Sequence, residues 1–190
     1  MKKKFWTFFV FVILLSCNSE DRFKKEFDNC LTNEQINLIL QINSEFDEFV
    51  VERFKGQNEG LNEAYYFMTE SITKKGGFSD YWYSNKKLLE IKNQLVQTGL
   101  FNNLNSQGSF RFDFDNGNYL KCLNTISKRN NDVEDALGVM FESNHYDLSL
   151  INLHLRILAE KKEIQSISKI LMTFQFIIGQ IEVITTANNV

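Results

Sequence analysis

Apolar residues recur every three or four positions along most of the chain beyond residue 32, which is the spacing of a helix with one buried face. The pattern predicts a mainly α protein: an irregular bundle of six or seven helices in one domain over residues 32–187. Residues 153–157 and 175–186 also tolerate a strand interpretation, but segment length and the lack of turn residues favour helix. The helical stretches cover residues 32–54, 61–74, about 80–99, 119–126, 133–141, 148–160 and 164–184.

Residues that cap helices mark several of these starts. Thr32 and Gln35 match a capping box, in which each side chain binds the other residue's backbone N–H. Ser79 or Asp80 is expected to cap the third helix, and Asp132 the helix that begins at residue 133.

Residues 100–118 break the helical spacing. They are rich in Asn and Gly, and Phe110, Phe112 and Phe114 alternate with polar residues. A period of two is typical of a strand, yet no partner strand is evident. We therefore expect either one short strand or an extended loop held by its phenylalanines.

The first sixteen residues form a separate unit. Three lysines precede an apolar run from Phe5 to Leu15, which is interrupted only by Thr7. The run is too short to span a bilayer, which needs roughly 20 residues, but it fits the apolar region of a secretory signal peptide. An ordinary amphipathic helix would need a polar face, which Phe8 to Leu15 lacks. We interpret residues 1–16 as a signal peptide.

The end of this run, Leu14-Leu15-Ser16-Cys17, resembles the lipobox of bacterial lipoproteins. The resemblance covers only about the first 17 residues. It implies cleavage before Cys17, a diacylglycerol thioether on Cys17 and acylation of the new amino end. Several acyl chains on one residue would hold the protein firmly to a membrane, with residues 17–31 as a lipidated polar tether.

The residues after Cys17 resemble the export signal of surface lipoproteins of Bacteroidetes, in which a serine and two acids follow the lipidated cysteine. Ser19, Glu20 and Asp21 stand in those places, and Phe23 follows. Tyr119 to Leu123 also resembles a stretch in small flavobacterial lipoproteins. The resemblance implies an outer-membrane lipoprotein that faces outward. The alternative is a plain tether, with the protein on the periplasmic face.

The net charge argues against two classes of partner, nucleic acid and anionic lipid. The formal charge of −3 includes three leader lysines and no leader acid, so the mature chain would carry −6. A mildly acidic body argues against nucleic acid, which calls for a basic face, and against added electrostatic docking on anionic lipid.

Two cysteines remain once Cys17 is lipidated. An exported chain meets an oxidising compartment, so Cys30 and Cys122 are expected to form a disulfide. The alternative is a pair of buried thiols.

Few residues carry candidate chemistry. Asp113 and Asp115 could ligate a metal, but the loop does not match a calcium hand, and we expect no metal site. The only histidines, His145 and His154, lie in no ligand cluster. An acidic run could supply paired carboxylates for hydrolysis, although a solvated helix face is the commoner meaning; it comprises Glu45, Asp47, Glu48 and Glu52.

Two aromatic clusters, at residues 65–67 and 81–83, cannot turn wholly inward because neighbours on a helix point apart. Some of Tyr66, Trp82 and Tyr83 would then be exposed and could bind a sugar or a protein. The alternative is that these rings fill the seam between two helices.

The sequence therefore predicts a membrane-anchored lipoprotein with a non-enzymatic binding or structural role at the cell surface. Its partners would be the membrane, through the anchor, and a protein or glycan. Glycan binding by exposed aromatics and hydrolysis by paired carboxylates are the alternatives. No cofactor motif is present, and nothing in the sequence indicates the oligomeric state.

Overall fold

The computed structural model describes residues 24–56, 60–75, 83–102, 117–142 and 166–187. A helical turn over residues 24–27 precedes six helices, and these ranges contain no strand. The predicted mainly α fold and the number of helices are therefore confirmed. The helices are α1 (Asn33–Arg53), α2 (Leu61–Lys75), α3 (Asn85–Gln97), α4 (Asn118–Ser127), α5 (Asn131–Glu142) and α6 (Ser166–Ala187).

Helix α6 is the centre of the bundle. It packs against α1, α3 and α5, whereas α2 packs on α1 and α4 packs on α5. Every residue from Ile170 to Ile181 is buried, including Thr173, Gln175 and Gln180. The helix predicted over residues 164–184 is confirmed, but it is buried on more than the one face that the spacing predicted. A helix with neighbours on several sides buries its polar positions too.

The start of α1 is held by the capping box read from the sequence. The backbone N–H of Thr32 donates to Gln35 Oε1 at 3.1 Å, and that of Gln35 donates to Thr32 Oγ1 at 3.3 Å. Gln35 Nε2 also donates to the carbonyl of Thr98, just beyond α3, at 2.8 Å. The first turn of α1 therefore meets the end of α3, and Lys87 near the start of α3 pairs with Glu45 further along α1, so the two helices run antiparallel.

Two predicted caps were wrong. Helix α3 begins at Asn85, where Ser84 Oγ accepts from the backbone N–H of Lys87 at 3.3 Å. The expected caps Ser79 and Asp80 lie outside the described residues. Asp132 lies within α5, and Asn130 Oδ1 accepts from the N–H of Val133 at 3.3 Å instead. Several residues able to cap stood near each start, and sequence spacing did not rank them.

Residues 99–101 and 117–119 meet where α3 ends and α4 begins. The N–H of Asn118 donates to the Gly99 carbonyl at 3.1 Å, and that of Tyr119 donates to the Leu100 carbonyl at 3.0 Å. The two ends of the Phe- and Asn-rich segment are therefore joined through the backbone. Residues 103–116, for which a strand or a loop was expected, lie outside the described residues, as does the helix predicted at 148–160.

The folded domain begins before residue 32. Phe27 is fully buried, Leu31 is buried, and the helical turn that carries Phe27 packs on the core. Phe27 and Leu31, which lie in the segment expected to be a tether, are therefore part of the core. None of the helices in the described part of the chain is long and apolar enough to cross a bilayer.

Candidate functional site

The end of the molecule where the chain enters the domain is fixed covalently. Cys30, just before α1, forms a disulfide with Cys122 of α4, and the Cα atoms lie 5.3 Å apart. That Cα spacing is ordinary for a disulfide. The structure thus contains the predicted bridge, and it joins the entry segment to a helix 92 residues further along the chain.

A second contact holds the same two segments together. Arg129, after α4, donates from Nη2 to the backbone carbonyl of Glu26 at 3.2 Å. Its Nε also lies 3.8 Å from the Glu26 carboxylate. The helical turn over 24–27 is therefore attached to the far end of α4 as well as to its middle.

The aromatic residues proposed as a binding platform are only half exposed. Tyr66 and Tyr83 both pack against the core. Tyr83 stacks on Phe49 of α1, with ring centroids 4.7 Å apart, and its ring lies 6.2 Å from that of Phe46. Burial, aided by the charges of Glu45 and Asp47, raises the pKa of Tyr83 above its ordinary value. Both rings therefore contribute to the packing of the bundle, and Trp82 lies outside the described residues.

The four carboxylates of the acidic run on α1 point in different directions. Glu48 and Glu52 are exposed. Glu45 pairs with Lys87 of α3 at 2.8 Å and accepts from Gln41 Nε2 at 3.0 Å, and these hydrogen bonds lower the pKa of Glu45. Asp47 turns towards the interior. The described residues therefore bring no two of these carboxylates to opposite sides of a cleft, as paired acid–base chemistry would require.

Asp47 belongs to a closed ring of four polar side chains that joins α1, α2 and α6. Tyr65 Oη contacts Asp47 Oδ1 at 2.7 Å and Thr173 Oγ1 at 3.1 Å. Thr173 Oγ1 donates to Asn43 Oδ1 at 2.9 Å, and Asn43 Nδ2 donates to Asp47 Oδ2 at 3.5 Å. We call these four residues the polar ring.

The polar ring has one proton too few when Asp47 is ionised. Tyr65 and Thr173 each bring one hydroxyl proton, and Asn43 directs one amide proton into the ring, so three protons serve four contacts. A protonated Asp47 donates to Tyr65, Tyr65 to Thr173, Thr173 to Asn43, and Asn43 back to Asp47. All four contacts are then hydrogen bonds that run in one direction round the ring.

Burial shifts the pKa of Asp47 in the direction of this protonated form. Burial raises the pKa of Asp47, whereas the hydrogen bond from Tyr65 and the charge of Lys169 oppose that rise. Burial and the neighbouring Asp47 also raise the pKa of Tyr65 well above its ordinary value, so that hydroxyl keeps its proton. A proton on Asp47 would complete the set of hydrogen bonds round the ring.

A polar groove of about 630 Å³ lies between the first half of α1 and the end of α3. Four amide side chains and one carboxylate dominate its surface. An amide both donates and accepts hydrogen bonds, so this lining suits a neutral polar ligand. The groove is bounded by Glu34, Asn37, Leu38, Gln41, Gln94, Gln97 and Thr98.

The described ranges contain no group of three or more His, Cys, Asp or Glu residues that could hold a metal ion. Asp113, Asp115, His145 and His154 lie outside these ranges, as do Cys17, Ser19, Glu20 and Asp21.

Sequence analysis missed both the polar ring and the groove. Asn43, Tyr65 and Thr173 come from three helices and stand up to 130 residues apart. The one local signal was the polar residues Asn43 and Asp47 at i and i+4 on a helix that is otherwise apolar on that side. No family model, curated protein or solved structure matches this chain.

Proposed function

We propose that this protein is a lipoprotein, anchored by Cys17 to the outer membrane and facing outward, with a non-enzymatic binding or structural role. Two sequence features support this location: the lipobox-like stretch that ends at Cys17, and the export signal formed by Ser19, Glu20 and Asp21. The helical domain then serves as the part that meets a partner outside the membrane.

The disulfide at the entry to the domain is the observation that carries this proposal. A bridge between Cys30 and Cys122 persists in an oxidising compartment, which an exported chain reaches and a cytosolic one does not. It also leaves Cys17 as the one cysteine of the chain outside that bridge, as a lipidated residue requires.

The anchor is tested by mass spectrometry of the mature amino-terminal peptide and by fractionation of cells. We expect a peptide that begins at Cys17 and carries the mass of its acyl chains, with the protein in the membrane fraction. Cys17→Ala should release the protein from the membrane. An unmodified Cys17 in a membrane-free protein would contradict the proposal.

The outward orientation is tested by adding protease to intact cells. The wild type should be cleaved, whereas a variant with Glu20 and Asp21 changed to Ala should be protected. The matched control changes Asp28 and Glu34, two exposed acids of the folded domain, and should be cleaved like the wild type. Protection of the wild type in intact cells would place it on the periplasmic face instead.

Glycan binding is a second candidate function, and the amide-lined groove favours it. Sugar hydroxyls donate and accept at once, as amides do, and Asn37, Gln94 and Gln97 offer both functions on one open surface. The described aromatics give this function less support than the groove does, since Tyr66 and Tyr83 pack on the core. Hydrolysis has no support from the carboxylates of α1, which do not face one another.

A glycan array followed by calorimetry on any hit tests the groove. Changing Gln94 and Gln97 together to Ala should weaken binding by about tenfold or more, because each lost hydrogen bond costs about 0.5–1.5 kcal/mol. Asn93→Ala, an exposed amide on α3 that does not line the groove, is the control. Equal losses in both variants, or no hit, would remove this candidate.

A further inference from the structure

The two walls of the amide-lined groove, α1 and α3, are held in place by the rest of the bundle. Each helix packs on α6, and two polar contacts join the helices to each other. Gln35 Nε2 donates to the Thr98 carbonyl at 2.8 Å, and Lys87 pairs with Glu45 at 2.8 Å further along α1. The α1 wall runs over residues 34–41, which is about 10 Å of helix. The groove is therefore formed before a ligand arrives, and it is long enough for a short oligosaccharide.

Three amide side chains in the groove have unused hydrogen-bonding capacity. Asn37, Gln94 and Gln97 make no side-chain hydrogen bond to any other residue that the structure describes. Gln41, in contrast, donates to Glu45 at 3.0 Å. The amides available to a ligand are thus one on the α1 wall and two on the α3 wall.

Amides on opposite walls suit a ligand that itself carries a secondary amide. Such a group is planar and trans, so its N–H and C=O point in opposite directions. When it lies across the groove, it can donate to one wall and accept from the other. Asn37 on α1 and Gln94 on α3 each offer an acceptor oxygen and a donor NH₂ group. A sugar hydroxyl gains less from two walls, because it donates and accepts at one atom.

The remaining lining restricts the ligand further. Leu38 is the one apolar residue among those that bound the groove, and only 9% of it is exposed. That small apolar patch can be covered by a methyl group. The lining also carries the carboxylate of Glu34 and no cation, so an acidic or sulfated sugar would bring a charge without a partner. An acetamido group combines a trans amide with a methyl group and carries no charge.

We propose that the groove binds a short chain of N-acetylated amino sugars, with one acetamido group lying between Asn37 and Gln94 and its methyl group on Leu38. The proposal rests on the glycan-binding candidate function and specifies its ligand. The ring hydroxyls then have Gln97 and Glu34 as partners. An extended peptide also carries trans amides, but its side chains need pockets, and the residues that bound the groove offer no apolar surface beyond Leu38.

Calorimetry with trisaccharides that differ only at C2 tests the ligand. The β-1,4-linked trimers of N-acetylglucosamine, glucose and glucosamine are titrated into the full-length protein in detergent. We expect the N-acetylated trimer to bind at least about fivefold more tightly than the other two, because an amide hydrogen bond contributes about two- to tenfold and a buried methyl group about fourfold.

Each other outcome overturns the proposal in a recognisable way. Equal binding of the glucose trimer would remove the acetamido contact and leave the glycan function standing. Tightest binding of the glucosamine trimer would assign recognition to the charge of Glu34. Equal competition by triglycine with blocked ends would make the groove a peptide site. If no trimer binds, the ligand assignment is wrong, and the glycan array decides separately whether the groove binds glycans at all.

Two substitutions locate the contact in the groove. The measured quantity is the affinity ratio between the N-acetylated and the glucose trimer, which a partly unfolded sample does not change. Asn37→Ala and Leu38→Ala should each lower that ratio by at least about twofold. Asn93→Ala and Leu89→Ala change an exposed amide and an exposed leucine of α3 outside the lining, and they should keep the full ratio. An unchanged ratio in both groove variants would overturn the placement of the acetamido group.

Discussion

At the scale of single residues, the hydroxyl of Tyr65 decides whether the polar ring is closed. Tyr65→Phe removes the atom that joins Asp47 to Thr173 and leaves both without that partner in a buried place. We expect the free energy of unfolding to fall by about 1–3 kcal/mol, the cost of leaving a buried polar group unsatisfied. Urea unfolding followed by circular dichroism measures it.

Tyr119 provides the matched control for that change. It is as deeply buried as Tyr65 and stacks on Phe174 at 4.8 Å, but its hydroxyl has no hydrogen-bond partner among the described residues. Burial raises its pKa, so the hydroxyl stays neutral. Tyr119→Phe should leave stability unchanged or raise it. Equal losses in the two variants would show that ring packing matters, and not the hydroxyl of Tyr65.

Asp47 makes the stability of the protein depend on pH. Because burial raises the pKa of Asp47 in the folded state, the folded protein keeps a proton that the unfolded chain has already lost. This stabilisation is complete below the ordinary pKa of about 3.9 and is lost as the pH rises through the higher folded-state pKa. Asp47→Asn removes it. We expect the variant to gain stability relative to the wild type as the pH rises through that window.

Urea unfolding at a series of pH values above 3.5 measures this difference. Glu48→Gln removes the same charge one residue away at an exposed position and should follow the wild-type curve more closely. Parallel curves for the wild type and Asp47→Asn would mean that Asp47 does not hold its proton in the polar ring.

Sequence spacing could not reveal the ring, because spacing reports only neighbours on one helix. Asn43 and Asp47 are such neighbours, but Tyr65 and Thr173 reach them only when α2 and α6 pack on α1. Patterns place apolar residues in the core with few alternatives. Buried polar residues need hydrogen-bond partners, and which residues supply them depends on how the helices pack.

At the scale of elements, the junction between α3 and α4 depends on Gly117. Its φ of 105° and ψ of 175° lie in a region that only glycine adopts readily. A Cβ there would lie 2.6 Å from the Cα of Phe101 and would also clash with the carbonyl oxygen of Leu100. We expect Gly117→Ala to lower the free energy of unfolding by at least about 2 kcal/mol. Chemical denaturation measures it.

Gly138 is the control for that substitution. It lies within α5, and a Cβ at this position would meet nothing within 4 Å. Gly138→Ala should therefore stabilise the protein by about 0.5–1 kcal/mol, since alanine loses less entropy in a helix. If both substitutions destabilised the protein equally, the effect would not come from the junction.

Helix ends were predictable where regular apolar spacing stopped or started beside a capping residue. Thr32 and Gln35 defined the start of α1, and Gly99 ended α3, because both signals act within four residues. The start of α3 was missed because Ser79, Asp80 and Ser84 can all cap a helix. In the structure Ser84 is the cap, and the preceding residue, Tyr83, stacks on Phe49. The sequence pattern does not place Phe27 and Leu31 in the core, because two apolar residues in the segment 24–31 are too few to show a period.

At the scale of the whole molecule, the Cys30–Cys122 bridge joins the entry segment to α4. The sequence could not show that Lys121 lies beside the entry segment, because 92 residues separate the two cysteines. The two cysteines beyond Cys17 and the oxidising compartment favoured the bridge, but only the fold shows that it joins the entry segment to α4.

Reduction of this bridge should lower the free energy of unfolding by about 4–5 kcal/mol in the chain-entropy model, because it closes a loop of more than 90 residues in the unfolded chain. Urea unfolding with and without dithiothreitol measures the loss. A double Cys30→Ala, Cys122→Ala variant is the control: it should match the reduced wild type and should not respond to the reductant. A wild type whose stability ignores the reductant would show that core packing of Phe27 and Leu31 alone holds the entry segment in place.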